Sequence, residues 1–309
     1  MNGLFFIINP SAGHGRGMKV WNKVKRELER KKVLYRSFYT EYPGHAEILA
    51  RQVATIQNYH LKTIVGVGGD GTIHEIVNGL SSFQQIQIGF LSAGSGNDFA
   101  RGFQLPTHPI KAIRLIIQRV NKPVTQYDLG EFRLGGKNSG QYFINHLGIG
   151  LQADVQKEVE NIPIKKLLAM LKMEYVTFII AFFKVLLEYQ PSSLEVCVNG
   201  EFTTYNNVWF ITISNGPNYH GKIKVTSNAN ATNGELNVTI VHSLNRFQLF
   251  MVMFSNMTGK HLKEVINKIA CESISITSNQ SLLIHADGEI VGETPVSISI
   301  RKSRVALIK

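Results

Sequence analysis

Val65-Gly66-Val67-Gly68-Gly69-Asp70-Gly71-Thr72, running on into Ile73-His74-Glu75, is the stretch whose reading decides the fold. The residues from Thr63 to Val67 are mostly β-branched, which predicts a short buried strand. Glycine then occupies three of four positions, 68, 69 and 71, around a single carboxylate. Ile76, Val77 and Leu80 follow at helical spacing. Thr72 with Glu75 three residues on has the form of a capping box, placing a helix start at Thr72. Strand, glycine loop and helix N-terminus together make an anion cradle, because glycine admits a ligand close to the backbone and the first helical N–H groups are unpaired. Asp70 does not suit such a cradle unless a cation or a hydroxyl stands beside it.

Two further stretches repeat the pattern. Leu4 to Ile8 reads as a strand, then Asn9-Pro10-Ser11-Ala12-Gly13-His14-Gly15-Arg16-Gly17 precedes an amphipathic helix marked by Val20, Trp21, Val24 and Leu28. Gln87 to Leu91 reads as a strand, and Ser92-Ala93-Gly94-Ser95-Gly96-Asn97-Asp98 follows it. Between them, Val33 to Tyr39 reads as a strand ending at Thr40, and His45 to Ile56 as a helix. None of the loops is a Walker A sequence, since no Gly-Lys-Ser/Thr occurs. Three glycine loops on successive β–α units converge at one end of a doubly wound sheet, the usual place for a ligand in that architecture.

From about Val124 the texture shifts to strand-like alternation, punctuated by Asn199-Gly200, Asn233-Gly234 and Asp287-Gly288 turns. We therefore expect a doubly wound, Rossmann-like α/β domain over residues 1–123; its Gly68–Thr72 core is similar to that of phosphofructokinases and NAD kinases. A β-rich antiparallel domain is expected over 124–309, with its last strand a candidate to return to the first domain. A helical insert spans Ile164 to Glu188, with Leu168, Leu171, Tyr175, Phe178, Ile179, Phe182, Leu186 and Leu187 at helical spacing and lysines at 165, 166, 172 and 184. That stripe reads first as domain core and second as an interfacial membrane contact.

The 309 residues carry a net charge of +11, which favours an anionic partner: nucleotide, nucleic acid or acidic membrane surface. Nucleic acid is set aside, because no basic helix with base-reading side chains stands out. Cys197 and Cys271 lack metal-ligand spacing and read as buried thiols in a reducing, cytoplasmic protein. The N-terminus lacks the basic region of a signal peptide, and no run of about 18 apolar residues predicts a spanning helix.

The order Asn9-Pro10…Gly13, Gly68-Gly69-Asp70-Gly71-Thr72…Glu75…Asn78-Gly79 and Gly94-Ser95-Gly96-Asn97-Asp98-Phe99-Ala100-Arg101 resembles the diacylglycerol kinase catalytic domain family, which includes bacterial lipid kinases and the sphingosine and ceramide kinases. The resemblance continues through Tyr142-Phe143-Ile144-Asn145…Gly148-Ile149-Gly150, Ser214-Asn215-Gly216-Pro217 and Asp287-Gly288-Glu289. It implies an ATP- and Mg²⁺-dependent lipid kinase acting on a membrane lipid. Asn9, Pro10, Ser11, Ala12, Gly13, Thr40, Gly66, Val67, Gly68, Gly69, Asp70, Gly71, Thr72, Ser95 and Asn97 would contact ATP. Glu289 would be the base and Asp287 its neighbour, with Asp70 facing Mg²⁺. A structural Mg²⁺ loop would fall at Asn230, Asn233 and Glu235, where Asn233-Gly234-Glu235-Leu236-Asn237 replaces the usual Asp-Gly-x-Leu-Asp. Peripheral contact with an anionic membrane and a homodimer complete the expectation. Two alternatives stay open: a nucleotide- or lipid-binding regulator, and a soluble-substrate kinase of the NAD kinase type.

Overall fold

The computed structural model describes residues 2–57, 61–83, 86–94, 97–120, 122–135, 139–165, 168, 173–216, 218–220, 223–226, 229–254 and 265–309. The chain forms two compact units. Unit 1 comprises Met1–Leu129, Gly216–Asn233 and Arg301–Lys309, and unit 2 comprises Gly130–Asn215 and Gly234–Ile300. The expected division at residue 123 is thus moved and broken up, because two later segments fold back into the first unit. Asp128 stitches those segments together. Its N–H donates to Ala231 O at 2.7 Å, and its carboxylate accepts the Ser303 N–H at 2.8 Å. Nothing local in sequence announces such a bond.

Unit 1 is a parallel sheet. β1 (Asn2–Ile8) pairs with β2 (Arg36–Tyr39) and β3 (Leu61–Gly68), and β3 pairs with β4 (Gln87–Ser92). The end of the last strand adds at the far edge, with Ala306 opposite Gln87 and Leu307 opposite Ile88. One face of the sheet (Leu4, Phe6, Ile8, Val65, Val67, Leu91) buries against α1 (Ala12–Arg30) and α5 (Pro109–Arg119) through Val20, Trp21, Val24, Ile113 and Ile116. Phe5, Ile7 and Ile64 on the other face are equally buried. Two covered faces explain why these strands read as unbroken apolar runs. Helices α2 (His45–Thr55), α3 (Asp70–Leu80) and α4 (Asp98–Gly102), and a two-stranded antiparallel sheet of β10 (Asn218–His220) and β11 (Ile223–Thr226), also belong to the unit. Between residues 33 and 39 only Arg36–Tyr39 pairs as a strand; Val33 and Tyr35 instead pack against the core.

Unit 2 is antiparallel. β7 (His146–Gly150), β9 (Glu201–Ser214), β8 (Ser192–Val198) and β14 (Ser273–Ser278) run side by side. β15 (Leu283–Ala286) and β16 (Glu289–Glu293) lie beyond β7, and the first part of β17 (Val296–Leu307) beyond β14. β12 (Leu236–His242) joins β9 to β13 (Ile266–Cys271). A second core lies under α6 (Leu151–Asn161), α7 (Glu174–Glu188) and α8 (Arg246–Phe254), where Phe182, Leu186, Trp209, Phe210 and Leu249 are buried. Cys271 is buried, which pushes its thiol up to about 11. Cys197 is only half-buried, against expectation, because it sits on the outward face of β8 opposite Ser275.

The apolar stripe of the insert is split. Phe182 and Leu186 face the core, but Leu187 is 73% exposed, and Ile180 and Phe183 also face outward. Leu168 is buried, whereas Lys166, Leu171 and Lys172 lie outside the described residues and Tyr175 is described by its backbone alone. No helix among the described residues is long and apolar enough to cross a membrane.

In unit 1 a three-residue ion cluster clamps α1 to α5. Glu27 accepts two bonds from Arg30, at 2.8 and 2.9 Å, and one from Arg114 at 2.8 Å. These guanidinium groups, Arg30 first, hold its carboxyl down from 4.5 to about 2. A depressed folded-state pKa gives stability that is present above the unfolded value and lost as pH falls through the folded one. Urea denaturation followed by tryptophan fluorescence should therefore show parent and Glu27→Gln diverging most above about pH 4.5. The two should converge toward pH 2.

Candidate active site

The three glycine loops lie together at the carboxyl ends of β1, β3 and β4, and specific bonds join them. Asn9 is the first link. Its Oδ1 accepts the N–H groups of Ser11 and Ala12, both at 3.1 Å, and its Nδ2 donates to Thr72 Oγ1 at 3.2 Å. Gly68 O accepts the N–H groups of Ala93 and Gly94 at 2.7 and 3.1 Å, locking the second loop to the third. The glycines make this packing feasible. A Cβ on Gly94 would meet Gly69 Cα at 2.5 Å, and one on Gly13 would meet Ala93 O at 2.3 Å. Gly13, His14 and Gly15 have φ of 55°, 55° and 85°, so the chain turns through left-handed backbone before α1 straightens.

Asp70 has a defined structural task. Its two carboxylate oxygens accept the N–H groups of Asp98 and Phe99, both at 3.0 Å, capping α4 from another loop. Asp98 in turn pairs with Arg101 at 2.7 Å.

The capping box at Thr72 and Glu75 does not form. Helix α3 starts at Asp70 with Gly69 as its N-cap, and Glu75 points away to accept the N–H groups of Gly44 and Ala46, both at 2.9 Å. It caps α2 because Gly44, in left-handed backbone with φ 85°, offers no side chain of its own.

The structure places the other expected nucleotide residues as follows. Pro10, Ser11 and Asn97 are half-buried or exposed in the loops, and Ala12 and Gly71 are half-buried in the first turns of α1 and α3. Asn97 stands in left-handed backbone, φ 58°, before α4. Gly66 and Val67 lie behind the loops. Val67 is fully buried, and a Cβ on Gly66 would strike Ile76 Cδ1 at 2.8 Å, so Gly66 serves helix packing. Thr40 is at the end of β2, its N–H donating to Ile8 O at 2.8 Å. Ser95 lies outside the described residues.

In unit 2 the turn between β15 and β16 is the hairpin that its Asp-Gly dipeptide suggests, with φ of 50° at Asp287 and 96° at Gly288. Asp287 is nevertheless buried, at 7% exposure, and acts as a hub. Its carboxylate accepts three backbone N–H groups, from Ile144 (2.9 Å), Asn145 (2.9 Å) and His146 (3.1 Å). Asn215 closes the knot, donating its N–H to Asn145 O at 2.9 Å and its Nδ2 to Ile144 O at 3.0 Å. Three motifs distant in sequence are thus one hydrogen-bonded unit. Glu289, two residues on, is exposed at the start of β16. His146 and His285 are buried in the same region with ring centroids 5.1 Å apart, and sequence reasoning did not single them out.

At the expected structural metal loop, Asn230 Oδ1 is taken up by the N–H and hydroxyl of Thr232, at 3.2 and 2.8 Å. Among the described residues there is no group of three His, Cys, Asp or Glu that could hold a metal ion. A hard dication wants several oxygen ligands with carboxylate charge. Asn230, Asn233 and Glu235 do not offer that set.

The diacylglycerol kinase catalytic domain matches residues 3–130, and the YegS C-terminal NAD kinase beta sandwich-like domain matches 145–309. A Bacillus subtilis (strain 168) protein named "Putative lipid kinase YtlR" is 37% identical over 97% of each chain. The diacylglycerol kinase of Staphylococcus carnosus (strain TM300) is 25% identical, covering 97% of this chain and 92% of its own. A crystal structure of a diacylglycerol kinase from Bacillus anthracis str. Sterne superposes with a TM-score of 0.71 at 19% identity, covering 99% of this chain and 96% of that one. The chain belongs to the diacylglycerol kinase catalytic domain family and carries its YegS-type C-terminal β domain.

Replacing Asp287 by Asn should expose the importance of the knot. An amide nitrogen would face a backbone N–H, leaving a buried donor unsatisfied at a cost of roughly 1–3 kcal/mol. Chemical denaturation of the Asp287→Asn protein should show that loss, and exchange of the Ile144–His146 amide hydrogens should speed up in step.

Proposed function

We propose that this chain is an ATP-dependent kinase that transfers the γ-phosphoryl group to a lipid hydroxyl. The observation that supports this reading is the bonding of Asn9, Gly68–Thr72 and Gly94 into one set of glycine loops at the carboxyl ends of the unit 1 strands. Family membership adds its weight. Phosphoryl transfer is mostly positioning and charge stabilisation. The glycine loops and the N-terminus of α3 would hold the phosphates, and Asp70, braced by Asp98 and Phe99 N–H groups, would face the Mg²⁺ that travels with ATP. That ion neutralises charge on the phosphate oxygens when bound. The acceptor hydroxyl oxygen forms the new bond to the γ-phosphorus, the bond to the β,γ-bridging oxygen breaks, and ADP leaves. Glu289 is proposed to take the hydroxyl proton, with Asp287 holding the turn rather than sharing the proton.

Radiolabelled ATP with extracted membrane lipids tests this. The parent should label one lipid class, and Glu289→Gln should reduce transfer by about 10²-fold or more while nucleotide affinity stays within about twofold. Full labelling by the variant would remove Glu289 as base. The replacement of carboxylates by Asn233 and Asn237 favours a second reading, a nucleotide- or lipid-binding regulator. Nucleotide binding without transfer to any lipid would select it, and transfer to NAD would instead select a soluble-substrate kinase.

The membrane would meet unit 2 at the outward faces of α7 and α8. Ile180, Phe183 and Leu187 line one helix, and Phe247 and Met251 the other; all are exposed, and Phe183 packs on Phe250 at 5.5 Å to join the two. The chain's net charge of +11 suits an anionic lipid surface. Phe183→Ser with Leu187→Ser should abolish sedimentation with phosphatidylglycerol vesicles. A parent dimer that becomes monomeric in this variant, with vesicle binding intact, would instead make the face a contact between copies.

A further inference from the structure

We infer that Tyr42, laid on His45, is the platform on which the base of the nucleotide stacks; this rests on the proposal that unit 1 binds ATP. The Tyr42 and His45 rings are parallel, with centroids 4.5 Å apart and an interplanar angle of 1°. Tyr42 is 52% exposed, so a large flat ring backed by imidazole still offers about half of its surface to a partner. An aromatic face held this way offers stacking at little ordering cost to its partner.

The corner that carries the pair is braced. His45 Nδ1 accepts the Glu41 N–H at 3.1 Å, which fixes the plane of the imidazole. Glu75 accepts the Gly44 and Ala46 N–H groups on either side of His45. Because Glu75 stands on α3, the helix that opens at the Gly68–Thr72 loop, one helix registers the phosphate loop and the aromatic pair together.

Position supports the assignment. Ile8 pairs with Tyr39 on one side and Val67 on the other. Thr40, Asn9 and Gly68 therefore leave the ends of three neighbouring strands side by side, with Thr40 N–H bonded to Ile8 O and Asn9 N–H to Val67 O. Two strand spacings are about 10 Å. That is the reach of a nucleoside laid from the glycine loops toward the edge strand β2, two residues short of Tyr42. Stacking is tolerant of base identity, so the platform would add affinity for any purine and discriminate weakly among them.

Calorimetric titration of the full-length parent, Tyr42→Ala and Tyr42→Phe with MgATP and with magnesium tripolyphosphate separates base from phosphate contacts. Tyr42→Ala should weaken MgATP by about tenfold, Tyr42→Phe by less than about twofold, and neither should change tripolyphosphate affinity. A Tyr42→Ala protein that binds MgATP as tightly as the parent overturns the platform and leaves the nucleotide proposal standing. Equal loss of tripolyphosphate affinity also overturns it, since the damage would then lie in the loops. A parent that binds neither probe overturns both.

Discussion

A carboxylate oxygen meeting a backbone N–H group is the interaction on which the rest of this molecule depends. Glycine-rich loops and helix starts leave N–H groups without partners in their own helix or loop, and a buried N–H must find an acceptor. Asp70 supplies it for α4, Glu75 for α2 and Asp287 for the segment from Ile144 to His146. In each case the acceptor comes from a different part of the chain, so the bond sets tertiary structure as well as satisfying a local end.

This changes how the acidic residues of the motifs are read. A carboxylate beside a glycine loop suggests chemistry, and two acids on one turn suggest a division of labour between metal and base. Asp287 is committed to three N–H groups and buried, whereas Glu289 is exposed. The two acids of the turn therefore differ in environment: one is spent on holding the turn, and the other is open to solvent. Asp70 belongs with the holding group, since its two oxygens are bonded to the Asp98 and Phe99 N–H groups.

The glycines follow the same economy. Gly13, Gly69 and Gly94 let loops touch backbone to backbone, and Gly66 lets α3 close on the sheet. Loops held this closely present their remaining N–H groups in fixed directions, which is what phosphate binding requires. In unit 2 the outward residues of α7 show the converse. Phe183 and Leu187 carry as much apolar surface as Phe182 and Leu186, yet only the second pair has sheet residues to bury against.

By itself the sequence determined the two architectures, the order of the three loops and the Asp-Gly hairpin. Each follows from local physics: apolar period, glycine permissiveness and turn chemistry. It did not determine that Glu75 caps α2 instead of its own helix, because Thr72…Glu75 satisfies the local pattern and only the nearness of Gly44 and Ala46 decides the competition. Nor did it show that Asp128 gathers three chain segments, that Leu187 faces outward, or that Tyr42 lies on His45. Those outcomes depend on groups far apart in the chain meeting in space. A side chain with several acceptable partners takes the one whose burial leaves the fewest N–H groups unsatisfied.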